Sequence, residues 1–117
     1  MYKRQAVYVV NLVIDQGTDF TQTFNLESDA SDSALDLTGY TGAAQLRKHA
    51  SSKTKYDFTV TFTDTSAGIV KIAMTDAVTA GIKAGRYIYD VLITDSSGLK
   101  TRIVEGSALV REGATRI

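Results

Sequence analysis

Hydrophobic and polar residues alternate with a period of two along most of this chain, the spacing of strands that bury one face and wet the other. Ala6 to Ile14 (AVYVVNLVI) is dense in β-branched residues and predicts a first strand. Beyond a turn at Asp15-Gln16-Gly17, Phe20, Gln22, Phe24 and Leu26 share one face and Thr21, Thr23 and Asn25 the other. Glu27 to Ala34 (ESDASDSA) predicts a polar loop, because its Ser and Asp side chains compete for backbone hydrogen bonds. Leu35 and Leu37 fall on one side before a glycine turn at Gly39. Ala44, Leu46 and Lys48 then alternate with Gln45, Arg47 and His49 as a third strand. The cleanest alternation sets Tyr56, Phe58, Val60 and Phe62 against Asp57, Thr59, Thr61 and Thr63. Asp64 to Gly68 predicts a hairpin loop that returns Val70, Ile72 and Met74 to the buried side. Thr75 is placed to N-cap a short helical turn, Asp76 to Ile82, with Val78 and Ile82 on one face and Asp76 near its positive end. Tyr87, Tyr89, Val91 and Ile93 alternate with Ile88, Asp90, Leu92 and Thr94, apolar enough on both sides to predict the centre of a sheet. After Asp95-Ser96-Ser97-Gly98, Lys100 to Arg111 closes the fold with Val104, Gly106, Ala108 and Val110 on one face.

About eight short strands, regular turn signals and almost no helix predict an all-β fold, an antiparallel β-sandwich of two packed sheets. The expected core is Phe20, Phe24, Leu37, Leu46, Phe58, Val60, Phe62, Val70, Ile72, Tyr87, Tyr89, Val91 and Val110. At 117 residues there is room for one domain, 1–117, with short arms at either end. The chain has Pro 0, so its edge strands need charge or bulges as guards. Cys 0 excludes disulfides, thiolate zinc sites and cysteine nucleophiles.

The basic start Met1-Tyr2-Lys3-Arg4-Gln5 followed by apolar residues has the outline of a signal peptide. Asn11 interrupts that short run, however, and Asp15-Gln16-Gly17 follows where a small-residue cleavage site is needed, so a soluble, unprocessed chain is expected. No run approaches the ~18 apolar residues of a membrane span, and no membrane partner is expected. Thirteen basic and thirteen acidic residues leave no net charge, so nucleic acid is not an expected partner either. The one histidine, His49, lies among Arg47, Lys48 and Lys53 without the ligands of a metal site or the partners of a triad. No Gly-x-Ser-x-Gly elbow is present. Asp29, Asp32 and Asp36 cluster in a polar loop without the glycine and terminal glutamate of a calcium-binding hand loop. Neither catalysis nor a cofactor is expected.

Charge placement says more than net charge. Between Arg4 and Arg47 every charged residue is acidic, whereas Arg47, Lys48, Lys53 and Lys55 stand together and Lys100, Arg102, Arg111 and Arg116 mark the last strand and tail. Either this polarity favours head-to-tail contacts with copies or a polarised partner, or the strands fold it into a mixed surface. The ladder of Thr59, Thr61 and Thr63 likewise reads as hydroxyls offered to a sugar or as plain strand propensity.

Ala84-Gly85-Arg86-Tyr87-Ile88-Tyr89 resembles the corner before the sixth strand of immunoglobulin-like domains. The resemblance gives Tyr87 the corner role, its hydroxyl bonding back to upstream backbone, and puts Tyr89 where that family has its second cysteine. Tyr87 as a simple core aromatic is the other reading. Over nearly the whole chain, Ile14-Asp15-Gln16-Gly17-Thr18-Asp19-Phe20, Leu35-Asp36-Leu37-Thr38-Gly39-Tyr40, Gly68-Ile69-Val70, Gly85-Arg86-Tyr87-Ile88-Tyr89-Asp90-Val91 and Val104-Glu105-Gly106 follow in order. This succession resembles small structural proteins of tailed bacteriophages, including those of cyanobacterial viruses, and is similar to the N-terminal domain of siphophage upper baseplate proteins. The resemblance implies a non-enzymatic, multicopy, immunoglobulin-like virion module on a capsid or on a tail or baseplate surface. In baseplate proteins the similar domain continues into a fibre-like segment, and a chain stopping at Ile117 is expected to be a free-standing accessory protein.

The expected partners are other virion proteins and copies of itself, contacted through the terminal arms by Tyr2, Lys3, Arg4 and Arg116 and through flanking edge strands. The alternative is a carbohydrate-binding β-sandwich module, with Tyr2, Tyr8, Tyr40 and Tyr56 as candidate platforms.

Overall fold

The computed structural model describes residues 8–26 and 36–115. Among the described residues there are eight strands: β1 (Tyr8–Val9), β2 (Leu12–Asp15), β3 (Phe20–Asn25), β4 (Thr41–Arg47), β5 (Lys55–Asp64), β6 (Ile69–Met74), β7 (Gly85–Thr94) and β8 (Lys100–Arg111). One helix, α1 (Asp76–Ala80), joins β6 to β7. The strands pair in the order β1-β8-β7-β4-β5-β6-β3, with β2 also on β8. The polar loop expected over 27–34 lies outside the described residues.

The two layers are one sheet curled through β5. Lys55 to Phe58 pairs with β4, and from Thr59 onward the same strand pairs with β6. A bulge between Phe62 and Asp64 adds local twist. Gly42 on β4 lets the curl tighten: a Cβ there would stand 2.6 Å from Cγ1 of Val60.

The expected first strand is broken in two. β1 and β2 flank Val10 and Asn11, and both run parallel to β8, which corrects the fully antiparallel expectation. The break follows from polar chemistry. The Asn11 side-chain oxygen accepts from the Ser107 amide and hydroxyl, both at 3.1 Å, and this pulls the chain out of its ladder.

A contiguous core fills the curl, with Ile14, Leu37, Leu46, Val70, Ile72, Ile82, Val91 and Val104 fully enclosed. Phe20, Val60 and Phe62, expected inside, are partly buried against it. Phe20 opens the edge strand β3, while Val60 and Phe62 lie on β5 beyond the point where it leaves β4 for β6. A register shift between Val91 and Leu92 puts consecutive residues Ile103 and Val104 both inside, a departure that strict alternation does not reveal.

Thr75 caps α1, its hydroxyl accepting from the Val78 amide. The helix ends at Ala80 rather than Ile82, so the inward residue is Thr79, and Val78 is 39% exposed. Thr79 Oγ1 donates to the Thr18 carbonyl at 2.7 Å, which ties the helix to the β2–β3 turn.

Candidate functional site

Two tyrosines on β7 organise the body on which any site is displayed. The Tyr87 hydroxyl donates to the Lys83 carbonyl at 2.6 Å, the local tether of a tyrosine corner. Tyr89 reaches the other way, past β8, to donate to the Val10 carbonyl at 2.6 Å. Burial raises the pKa of both hydroxyls, that of Tyr89 to about 12.

The outer face of the sheet formed by β1, β2, β8, β7, β4 and the start of β5 is broad. Pairing places Asp57, Gln45, Asp90, Glu105 and Val9 in one row across it. The next row carries Lys55, Arg47, Ile88 and Ser107, and beyond it Leu109 lies between Arg86 and Val13. Val9, Val13 and Ile88 are 70%, 52% and 42% exposed, so the face has apolar residues open to solvent among charged ones. A shallow depression of about 500 Å³ lies at its centre, lined by Val9, Arg47, Ile88, Asp90, Arg102 and Glu105 among others. Arg102 and Asp90 pair there at 3.1 Å, and Arg47 is held by the Ser52 carbonyl and the Gln45 side chain.

A second, smaller cleft of about 320 Å³ opens between the β4–β5 loop and the corner before β7. Lys48, Lys83, Ser52, Thr54, Tyr56 and Tyr87 line it, two cations, two aliphatic hydroxyls and two phenols with no carboxylate. The Lys48 ammonium stands 4.9 Å from the centre of the Tyr87 ring, and Tyr56 meets Tyr87 edge to face. Such a cleft suits a ligand with an anionic group and an apolar flank.

Tyr2, Lys3, Arg4 and Arg116, singled out as contacts, lie outside the described residues. Of the candidate sugar platforms, Tyr8 is 37% exposed on the edge strand β1, and Tyr40 packs partly buried against the core. Tyr56 joins the smaller cleft, and Tyr2 is outside the described residues. His49 is exposed, its ring nitrogen 3.1 Å from the Ser51 hydroxyl. Asp36 takes the Thr38 hydroxyl and amide, which hold its carboxyl below the usual range; Asp29 and Asp32 are not described. Among the described residues no group of three or more His, Cys, Asp or Glu is placed to hold a metal ion. Among them, too, no helix is long and apolar enough to cross a membrane. The polarity along the sequence is partly folded away, since Arg111 on β8 pairs with Asp15 on β2 at 2.8 Å and holds its carboxyl below the usual range. Both depressions escape a reading of strand alternation because each gathers residues from stretches far apart in sequence.

No protein-family model matches the chain, and no curated protein sequence matches it. Among solved structures, it is similar to the GspB Siglec domain, with a TM-score of 0.54 and 16% identity over 90% of this chain and 55% of that one. The fold is immunoglobulin-like. The chain is also similar to an internalin-like protein of Listeria monocytogenes, with a TM-score of 0.45 and 15% identity over 92% of this chain and 28% of that one. It thus spans about half the length of the first neighbour and under a third of the second. Tyr89 lies two residues beyond the corner tyrosine, the position of the second cysteine in antibody domains, and here it bonds instead to the Val10 carbonyl at the N-terminal edge.

Proposed function

We propose that this chain is a non-enzymatic structural module of a bacteriophage virion, seated on a capsid, tail or baseplate protein through the outer face of its broad sheet. The observation that carries the reading is the exposure of Val9, Val13 and Ile88 on one sheet face, interspersed with Arg47, Arg86, Asp90, Arg102 and Glu105. Protein contacts combine apolar and charged residues in this way, the apolar ones losing water on docking while the charged ones select the partner. The virion assignment itself rests on the ordered landmarks from Ile14 to Gly106 and their resemblance to phage structural proteins. Mass spectrometry of purified particles tests it: the protein is expected at fixed copy number, and its absence from particles overturns the reading. Ile88→Asp with Val13→Asp is expected to lower loading while leaving the fold intact; full loading would move the attachment surface elsewhere.

The basic cleft favours a second reading, a module that binds a carboxylated or sulfated glycan. There Tyr56 supplies the platform and Lys48 and Lys83 the charge. Glycan binding that Tyr56→Ala abolishes, in a protein absent from particles, would put this reading first.

A further inference from the structure

The sheet ends differently at its two edges. At one, β2 carries Asp15 paired with Arg111, and the chain is kinked at Val10 and Asn11, so charge and irregularity guard the free backbone. At the other, β3 reads Phe20-Thr21-Gln22-Thr23-Phe24-Asn25, with no charge and no proline. Its register with β6 runs unbroken from Phe20 opposite Met74 to Asn25 opposite Ile69.

The phase of that ladder tells which groups are free. The Leu26 amide donates to the Gly68 carbonyl at 2.8 Å, so Phe24, Gln22 and Phe20 turn their backbone groups toward β6. The amides and carbonyls of Thr21, Thr23 and Asn25 therefore point off the edge. Among the described residues no strand lies against them, and the Thr23 carbonyl takes only a long 3.3 Å contact from the Gln22 side chain.

We infer that the β3 edge pairs antiparallel with β3 of a second copy, about a two-fold axis at Thr23, to make one sheet continuous through both molecules. The edge is self-complementary about that point: Thr23 meets Thr23 of the partner copy, and Thr21 meets Asn25 on either side. Each of these positions has both backbone groups facing outward, so each pairing exchanges two backbone hydrogen bonds. The side chains that meet are uncharged hydroxyls and amides, and Thr–Thr pairs stabilise an antiparallel ladder. The nearest cation, Lys71 opposite Thr23, lies one strand back. The two Lys71 rows are then three strand spacings apart, about 14 Å, beyond the screening length at physiological salt. A two-fold interface of this kind closes on itself and leaves no β3 edge for a third copy. The inference stands apart from the virion reading.

Sedimentation velocity of the full chain over a wide concentration range, together with residue-resolved amide exchange, tests it. A dimer is expected at high concentration, with the Thr21, Thr23 and Asn25 amides slowing as it forms while those of Gln22 and Phe24 are protected throughout. Thr23→Pro removes an outward donor that β6 does not use, and Thr23→Lys puts two cations at the axis; each is expected to weaken association at least tenfold. Thr59→Lys, two strands away, is expected to leave it unchanged. If Thr23→Pro fails to fold, Thr23→Lys and the exchange pattern decide. A chain that stays monomeric at millimolar concentration overturns the inference, as does a dimer that survives both Thr23 variants. Full protection of the three outward amides in dilute monomer, which would mean that another part of the chain covers the edge, overturns it too.

Discussion

The hydroxyl of Tyr89 donates to the carbonyl of Val10 at 2.6 Å, joining residues 79 apart in sequence. The bond fastens the N-terminal edge to the central strand β7 from inside the core, where Tyr89 is 4% exposed. Val10 is the residue at which the N-terminal strand breaks, so its carbonyl has left the parallel ladder and turned to the tyrosine. Its amide still donates to the Glu105 carbonyl at 3.0 Å.

Tyr89→Phe keeps the ring and removes the donor, leaving a carbonyl in the interior without its partner. The expected cost is about 1–3 kcal/mol in urea unfolding, the penalty of an unsatisfied buried acceptor. A loss near zero would mean that water or a rearranged backbone replaces the hydroxyl.

The same hydroxyl makes stability depend on alkaline pH. Its pKa is raised by burial from 10.0 to about 12, so below pH 10 it is protonated whether the chain is folded or not, and its stabilising effect is complete. Between pH 10 and about 12 the unfolded chain gives up this proton first, and stability falls. Tyr87, also raised by burial, acts in the same direction. Urea midpoints measured across that window are expected to drop more steeply in the native sequence than in Tyr89→Phe. Equal slopes would contradict the assignment.

These relationships mark the limit of what strand alternation conveys. β3, β5, β6 and β7 were legible because their inward residues, such as Phe24, Phe58, Ile72 and Val91, recur every second position. The break at Val10 and Asn11 was not, because it depends on Ser107 and Tyr89, far along the chain. The parallel pairing of β1 and β2 with β8 escaped for the same reason: period two fixes which face is wet but says nothing about which strand lies alongside. Helical spacing puts Val78 and Ile82 on one face, but the helix ends at Ala80 and is anchored by a Thr79 hydrogen bond, so Ile82 is buried and Val78 is not. Of the candidate site, Tyr56 was named from its residue type, whereas Lys48 and Lys83 meet only when the loop after β4 and the corner before β7 come together.

Gly106 lies between the partners of that bond, opposite Tyr89 on β8 and beneath the Val10 carbonyl. A Cβ there would stand 2.2 Å from the Val10 oxygen, and the obstacle is backbone, which cannot swing aside like a side chain. Gly106→Ala is therefore expected to cost about 1–3 kcal/mol or more. Hydrogen exchange should show where the cost falls: amides of β1 and β2 lose protection while those of β5 and β6 keep it. Uniform loss across the fold, or no loss, would count against this account of the glycine.

Phe58 and Phe62 share a face of β5, yet the curl of the sheet separates their environments. Phe58 is the last residue of β5 paired to β4, is 6% exposed, and has the rings of Phe20 and Tyr89 each 6.0 Å away. Phe62 lies beyond the crossover beside Gly42 and is only partly buried. Phe58→Ala opens a cavity that the two aromatic neighbours cannot fill without leaving their rotamers, and is expected to cost about 3–5 kcal/mol. Phe62→Ala removes a ring that already meets solvent, so less apolar surface returns to water and less cavity is left; its cost should be clearly smaller, about 1–2 kcal/mol. Urea unfolding of the two variants side by side measures the difference. Equal losses would mean that both halves of β5 lie equally deep, contrary to a strand that leaves one layer to join the other.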